Sequence, residues 1–197
     1  MNILVVGVGS IGERHVKNLL ALGGEVSVFD MDTVKARDVA QRYSVTNALS
    51  LENQLEHAEL VLICTPTHTH LQLATKALTA GCHVFIEKPI AEKDSAELTT
   101  LRSLANASEK ITFVGCNLRF HRGVQEMKAI LDSGVLGRVY SAHAHFGHYL
   151  PNWRKIDYKQ TYSAQSVQGG GILLECIHEF DYLHWLFGEV RSVAAQI

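Results

Sequence analysis

The sequence predicts an α/β protein whose N-terminal part is a doubly wound parallel sheet. Three observations carry this. Short strand-like runs rich in β-branched residues alternate with helical segments. Several of those runs are nearly unbroken apolar stretches, as strands buried on both faces require. A glycine-rich turn follows the first of them.

The strand-like runs are ILVVG (3–7), EVSVFD (25–30), ELVLIC (59–64), HVFIE (83–87) and ITFVG (111–115). Between them the apolar spacing predicts helices near 11–22, 32–42, 69–80 and 94–107, with a shorter one near 50–57. Asp94 and Ser95 are start signals for the 94–107 helix, and Gly23-Gly24 and Gly81 are stop signals for theirs. After residue 115 the pattern changes. A helix near 121–132 leads into the turn SGVLG (133–137) and a longer strand near 138–147 whose side chains alternate. An irregular stretch, about 148 to 168, precedes a long helix over 171–188 and a strand-like end, VRSVAAQI. These shifts divide the chain into a first domain, 1–117, and a second, 118–197.

Composition bounds the function. At 197 residues, 47% hydrophobic and 19% charged, the chain has an ordinary globular make-up. A net charge of −2 offers no basic patch for nucleic acid. No stretch has the length and apolarity of a membrane span or signal peptide. Cys64, Cys82, Cys116 and Cys176 are scattered without metal-ligand spacing, which predicts free thiols in a reducing, cytoplasmic compartment.

The glycine turn is GVGSIG (7–12), a GxGxxG that follows a strand, opens a helix, and precedes Asp30 at the end of the second strand. That is the setting of a dinucleotide site on a Rossmann sheet. Gly7 makes the tight turn, Gly9 lets the backbone approach a diphosphate, and Gly12 lets the helix pack closely. Ser10 and Ile11 complete the loop at the helix N-terminus, where free amides and the dipole favour negative charge. A carboxylate at Asp30 suits the ribose hydroxyls and repels a 2′-phosphate, and Met31, Asp32 and Thr33 supply no arginine. The expected cofactor is NAD rather than NADP.

GVGSIG, CTPTHTH (64–70), EKP (87–89), VGCNLRFHRG (114–123), Trp153-Arg154 and GGGILLECIHEFD (169–181) together closely resemble the Gfo/Idh/MocA family of nicotinamide-dependent oxidoreductases, which act mostly on sugars and cyclitols. The resemblance covers essentially the whole chain. It implies a Rossmann domain followed by an incomplete α/β (α+β) domain with a mostly antiparallel sheet, the chain being C-terminally truncated. It implies homo-oligomers when full length. Thr65, Pro66, His70, Glu87, Trp153 and Arg154 would then line the cofactor, and Lys88 would reach both cofactor and substrate.

By the same resemblance Glu175 and His178 form the acid–histidine pair that faces substrate. The family spacing is commonly four, here three, so counting back from the histidine would put the acid's place on Leu174. The register from the glycines, which selects Glu175, is preferred because a spacing of three still puts both side chains on one helix face. Asp181 keeps the family's place three residues after the histidine. Arg119 is present where the family often carries two arginines, Leu118 replacing the other. Tyr149 opens a polar–aromatic stretch suited to a hydroxylated ligand.

The expected reaction is hydride transfer between NAD(H) and a secondary alcohol carbon, with His178 as base, Lys88 stabilising negative charge on oxygen, and Glu175 orienting His178 or binding a hydroxyl. Two alternatives stand beside it: a non-catalytic NAD- and sugar-binding sensor, and NAD-assisted glycoside cleavage. His143 and His145, on one face of the expected strand, could bind zinc, but no cysteine or carboxylate lies near them, so no metal is expected and His148 is placed near the pocket mouth.

Overall fold

The computed structural model describes residues 1–147, 149 and 171–196, and the chain divides into two compact units, Met1–Gly115 and Cys116–Ile197. The first unit runs β1 (Asn2–Val6), α1 (Ser10–Ala21), β2 (Glu25–Phe29), α2 (Thr33–Tyr43), β3 (Thr46–Asn47), α3 (Leu51–Leu55), β4 (Leu60–Ile63), α4 (His70–Thr79), β5 (His83–Ile86), α5 (Ala96–Ala107) and β6 (Thr112–Val114).

All six strands are parallel, in the order β3-β2-β1-β4-β5-β6. Alternate residues of each strand face opposite layers. Ile3, Val5, Val26, Val28 and Leu62 pack with Val16 of α1 and Val39 and Ala40 of α2. Leu4, Val6, Val61, Ile63, Val84 and Ile86 pack with Leu51 and Leu55 of α3, Ala74, Ala77 and Leu78 of α4, and Leu101 of α5. Strands buried on both faces explain the unbroken apolar runs, each such side chain contributing about 1.5–3 kcal/mol on burial.

Local chemistry sets the helix starts. The carboxylate of Asp32 accepts from the amides of Val34 and Lys35, so α2 begins at Thr33. Ser50 caps α3 and Ser95 caps α5, the latter accepting from Leu98 N–H. The pairing of β3 with β2, Ser27 opposite Thr46 and Val28 opposite Asn47, was not anticipated, because two residues carry no periodicity.

The second unit contains a 3₁₀ turn at Asn117–Phe120, then α6 (Arg122–Asp132), α7 (Ile172–Glu175) and α8 (Ile177–Phe187). His121 caps α6, its Nδ1 accepting from Gly123 N–H at 3.2 Å. Two expectations need correction here. The single helix over 171–188 is two helices, broken at Cys176 (φ −98°, ψ 28°). There the ladder tightens, Glu179 N–H bonding Cys176 O three residues back, where Glu175 and Cys176 bond four back. Nor do residues 138–147 or 190–196 form strands. Alternation records a preference, whereas a strand exists only when a neighbour completes its hydrogen bonds, and no described segment pairs with either. The expected antiparallel sheet is therefore absent among the described residues of this unit.

Candidate active site

Every strand of the first unit points its carboxyl end to one edge of the sheet, and the site is built there. The turn after β1 is the tightest part. Gly7 has φ +87°, and a Cβ there would lie 2.8 Å from the Cys64 backbone and 2.9 Å from Thr65 Cγ2. A Cβ on Gly12 would lie 1.9 Å from Gly7 O, so only glycine lets α1 start this close to the strand. Gly9 differs: its conformation is ordinary (φ −65°, ψ −171°) and the space beside it is open.

The helical ladder of α1 starts with Glu13 N–H to Gly9 O at 2.9 Å, so the amides of Ser10, Ile11 and Gly12 have no helical acceptor. Open space over Gly9 beside those amides fits a dinucleotide diphosphate. Asp30 ties the loop to the end of β2: Oδ2 accepts from Val8 N–H at 2.8 Å and Oδ1 from Asp32 N–H at 2.9 Å. The carboxylate is held in place, with lone pairs to spare for ribose hydroxyls.

The loops after β4 and β5 form the adjoining part. The Thr69 hydroxyl donates to Pro66 O at 2.8 Å, and Thr65 and Thr69 hydroxyl oxygens lie 2.6 Å apart. One hydroxyl hydrogen each means that Thr65 donates to Thr69, leaving the Thr65 oxygen an acceptor toward any ligand. Pro66 is exposed.

His70, by contrast, is only 1% exposed. Its Nδ1 lies 2.9 Å from Pro89 O and its Nε2 2.8 Å from Thr65 O, so the ring joins the two loops. Burial pushes its pKa down and His68 adds to this, while the two carbonyls and Glu87 partly offset it. Burial also pushes the neighbouring Cys64 thiol far up, which leaves it an unreactive thiol.

Glu87 meets His15 of α1, Oε1 to Nε2 at 2.7 Å, and its Oε2 accepts from Lys88 N–H at 3.3 Å. Lys88 itself is half-buried, just past the end of β5 and before a cis peptide to Pro89. His15 was missed from the sequence: its partner is 72 residues away, and no local spacing marks it.

In the second unit Arg119 makes a bidentate ion pair with Asp181 of α8, Nε to Oδ2 at 2.8 Å and Nη2 to Oδ1 at 2.7 Å. This pair raises the guanidinium pKa further, and Trp185 lies under it at 5.8 Å. Glu175 ends α7 and His178 stands in the first turn of α8, both half-buried. The helix break falls between them, so the one-face argument drawn from a continuous helix does not apply. Tyr149 is exposed, and Trp153 and Arg154 lie outside the described residues. Among the described residues no three His, Cys, Asp or Glu cluster as metal ligands, and no helix is long and apolar enough to cross a membrane.

Comparison with known proteins bears on this arrangement. Residues 1–116 match the Gfo/Idh/MocA oxidoreductase family, NAD-binding Rossmann fold, and residues 124–197 match the Gfo/Idh/MocA C-terminal domain. The chain belongs to the Gfo/Idh/MocA oxidoreductase family. Myo-inositol 2-dehydrogenase of Thermotoga maritima is 27% identical over 194 residues, covering 96% of this chain and 55% of the relative. The 2,7-anhydro-N-acetylneuraminate hydratase of Escherichia coli is 26% identical over 200 residues, covering 100% of this chain and 52% of the relative. The solved structure of UDP-N-acetylglucosamine 3-dehydrogenase from Acidithiobacillus ferrooxidans is 30% identical with a TM-score of 0.62, covering 66% of this chain and 43% of that one. The chain thus spans about half the length of the curated relatives it matches. Its first unit is an NAD-binding Rossmann unit, and the open Gly9 loop with the anchored Asp30 fits that cofactor.

Proposed function

We propose that the protein transfers a hydride between NAD(H) and a secondary alcohol carbon of a sugar, sugar derivative or cyclitol. The observation that carries this is a half-buried lysine, Lys88, on the same sheet edge as the dinucleotide loop. NAD, when bound, supplies the hydride acceptor or donor. Lys88 hydrogen-bonds the substrate oxygen and stabilises the negative charge that develops there. His178 takes the hydroxyl proton in the oxidative direction, so that one alcohol and one NAD give one ketone, one NADH and one proton. Glu175 orients that imidazole or binds a neighbouring hydroxyl, and Arg119 and Tyr149 belong to the substrate side. Asp30 selects NAD over NADP. The free thiols Cys64, Cys82, Cys116 and Cys176 suit a reducing, cytoplasmic setting, and homo-oligomers are part of the same reading.

The test is Lys88→Ala in the full-length protein, assayed with NAD and a panel of cyclitols and sugars that includes myo-inositol. Turnover should fall by about 10²–10³-fold while NADH binding, read by nicotinamide fluorescence, is retained. Near-normal turnover defeats the assignment. One relative is named a hydratase, and adding or removing water brings no net redox change, which motivates a second reading in which NAD is reduced and reoxidised within one cycle. Net accumulation of NADH during turnover separates the two.

A further inference from the structure

The reaction above uses Lys88 but not the two histidines whose rings end on its neighbours in the chain. Glu87, one residue before it, meets Nε2 of His15 at 2.7 Å. Pro89, one residue after it, has its carbonyl oxygen 2.9 Å from Nδ1 of His70. His15 comes from α1, which packs on one face of the sheet, and His70 opens α4, which packs on the other.

The ladder of β5 ends with Glu87 N–H to Ile63 O at 2.9 Å, so the Lys88 backbone lies beyond the sheet. Its amide has the Glu87 carboxylate at 3.3 Å, and its side chain is a flexible four-carbon stem.

We propose that His15 and His70 are positioning residues, which fix the Lys88 ammonium by gripping the residue on either side of it from the two faces of the sheet. The proposal rests on the reading of Lys88 given above. On the α1 side the grip is stiff. Phe85 packs against His15 in a T-shaped pair (centroids 5.2 Å apart, 65° between planes), and Phe113 stacks on Phe85 in turn at 5.6 Å. With His15 and Lys88 N–H both on its carboxylate, Glu87 cannot swing out to solvent and carry the next residue with it. Across the sheet, the buried His70 ring also reaches Thr65 O at 2.8 Å, so it ties the Lys88 segment to the loop after β4. Its neighbours are both carbonyl oxygens, which only accept; the neutral imidazole donates its single N–H to one of them, and an apolar side chain of similar size would leave that oxygen without a donor.

The experiment reads Lys88 directly. Lysines are reductively methylated with ¹³C, a change that keeps their charge, and the Lys88 methyl signal is assigned by its loss in Lys88→Arg. Its ¹³C relaxation is then measured in the unaltered protein, in His15→Leu and His70→Leu, and in His15→Gln and His70→Gln, which keep an N–H donor. Restrained methyls in the unaltered protein and the Gln variants, and mobile ones in the Leu variants, are expected. In the full-length enzyme the Leu variants should lose about 10- to 100-fold in kcat with the KM for NAD little changed. A folded His15→Leu whose Lys88 signal is as restrained as in the unaltered protein overturns the proposal. Equal loosening in the Gln and Leu variants overturns it too, since it would mark packing alone. If His70→Leu fails to fold, the Gln–Leu comparison at His15 decides. The relaxation data do not depend on turnover, so an active Lys88→Ala would remove the reaction assigned to Lys88 and leave the positioning result standing.

Discussion

Alanine at Gly12 and at Gly9 should separate folding from cofactor binding, although the two positions lie three residues apart in one loop. A Cβ at Gly12 would sit 1.9 Å from Gly7 O and 2.9 Å from Gly7 C, both backbone atoms. Ordinary contact needs about 1.5 Å more than the first of these distances. No flexible side chain can give way, so α1 would have to move off β1. Overpacking of this kind costs about 3 kcal/mol or more where backbone is the obstacle. For a unit of about 100 residues that lowers Tm by about 12 °C or more. At Gly9 the conformation suits alanine and nothing lies within 4 Å of the added methyl, so thermal unfolding should be unchanged. The methyl instead occupies the approach of the diphosphate to the α1 amides. Losing one charge-assisted bond of about 1.5–3 kcal/mol weakens NADH about 10- to 100-fold. Calorimetric unfolding and a nicotinamide fluorescence titration read the two effects. A folded Gly9→Ala that binds NADH as tightly as the unaltered protein would refute the placement of the cofactor.

Asp30→Ala should strip acceptors from Val8 N–H and Asp32 N–H, lower stability by about 1–3 kcal/mol, and raise NADPH affinity relative to NADH; tighter NADPH than NADH binding by the unaltered protein, measured by calorimetry, would contradict this reading of Asp30. The Arg119–Asp181 pair, with side chains 38% and 17% exposed, should show a coupling of about 1 kcal/mol, discounted for solvent screening, in a urea double-mutant cycle of Arg119→Ala and Asp181→Asn. Zero coupling would remove its structural role. His70 has a folded pKa below its ordinary 6.5, so the unfolded chain binds the proton first as pH falls. Stability from this residue is therefore complete above about pH 6.5 and lost between there and the lower folded pKa, by at most about 1.4 kcal/mol per pH unit. His70→Gln should flatten that part of the Tm–pH curve; an unchanged acid slope would exclude His70 as its source.

The parallel sheet explains which parts of the site could be read from sequence. Parallel strands joined by helices bring all their carboxyl ends to one edge, so any motif that directly follows a strand is placed there without knowledge of the rest. Gly9 follows β1, Thr65 follows β4 and Lys88 follows β5, and each belongs to a motif next to an apolar run legible on its own. His15 follows no strand. It stands in the second turn of α1, and its meeting with Glu87 depends on its ring reaching Phe85 and the end of β5, a relation that no local spacing encodes. His70 was legible by position, but its inward turn is not a local property: it requires the carbonyls of Thr65 and Pro89 to converge from neighbouring strands. The same reasoning covers residues 138–147, whose alternation is a genuine local signal without a described partner to make it a strand. Residues that touch a ligand can thus be marked by short motifs at strand ends. Those that hold them in place are fixed by contacts across the sheet, so neither His15 nor the inward turn of His70 is encoded by a local spacing.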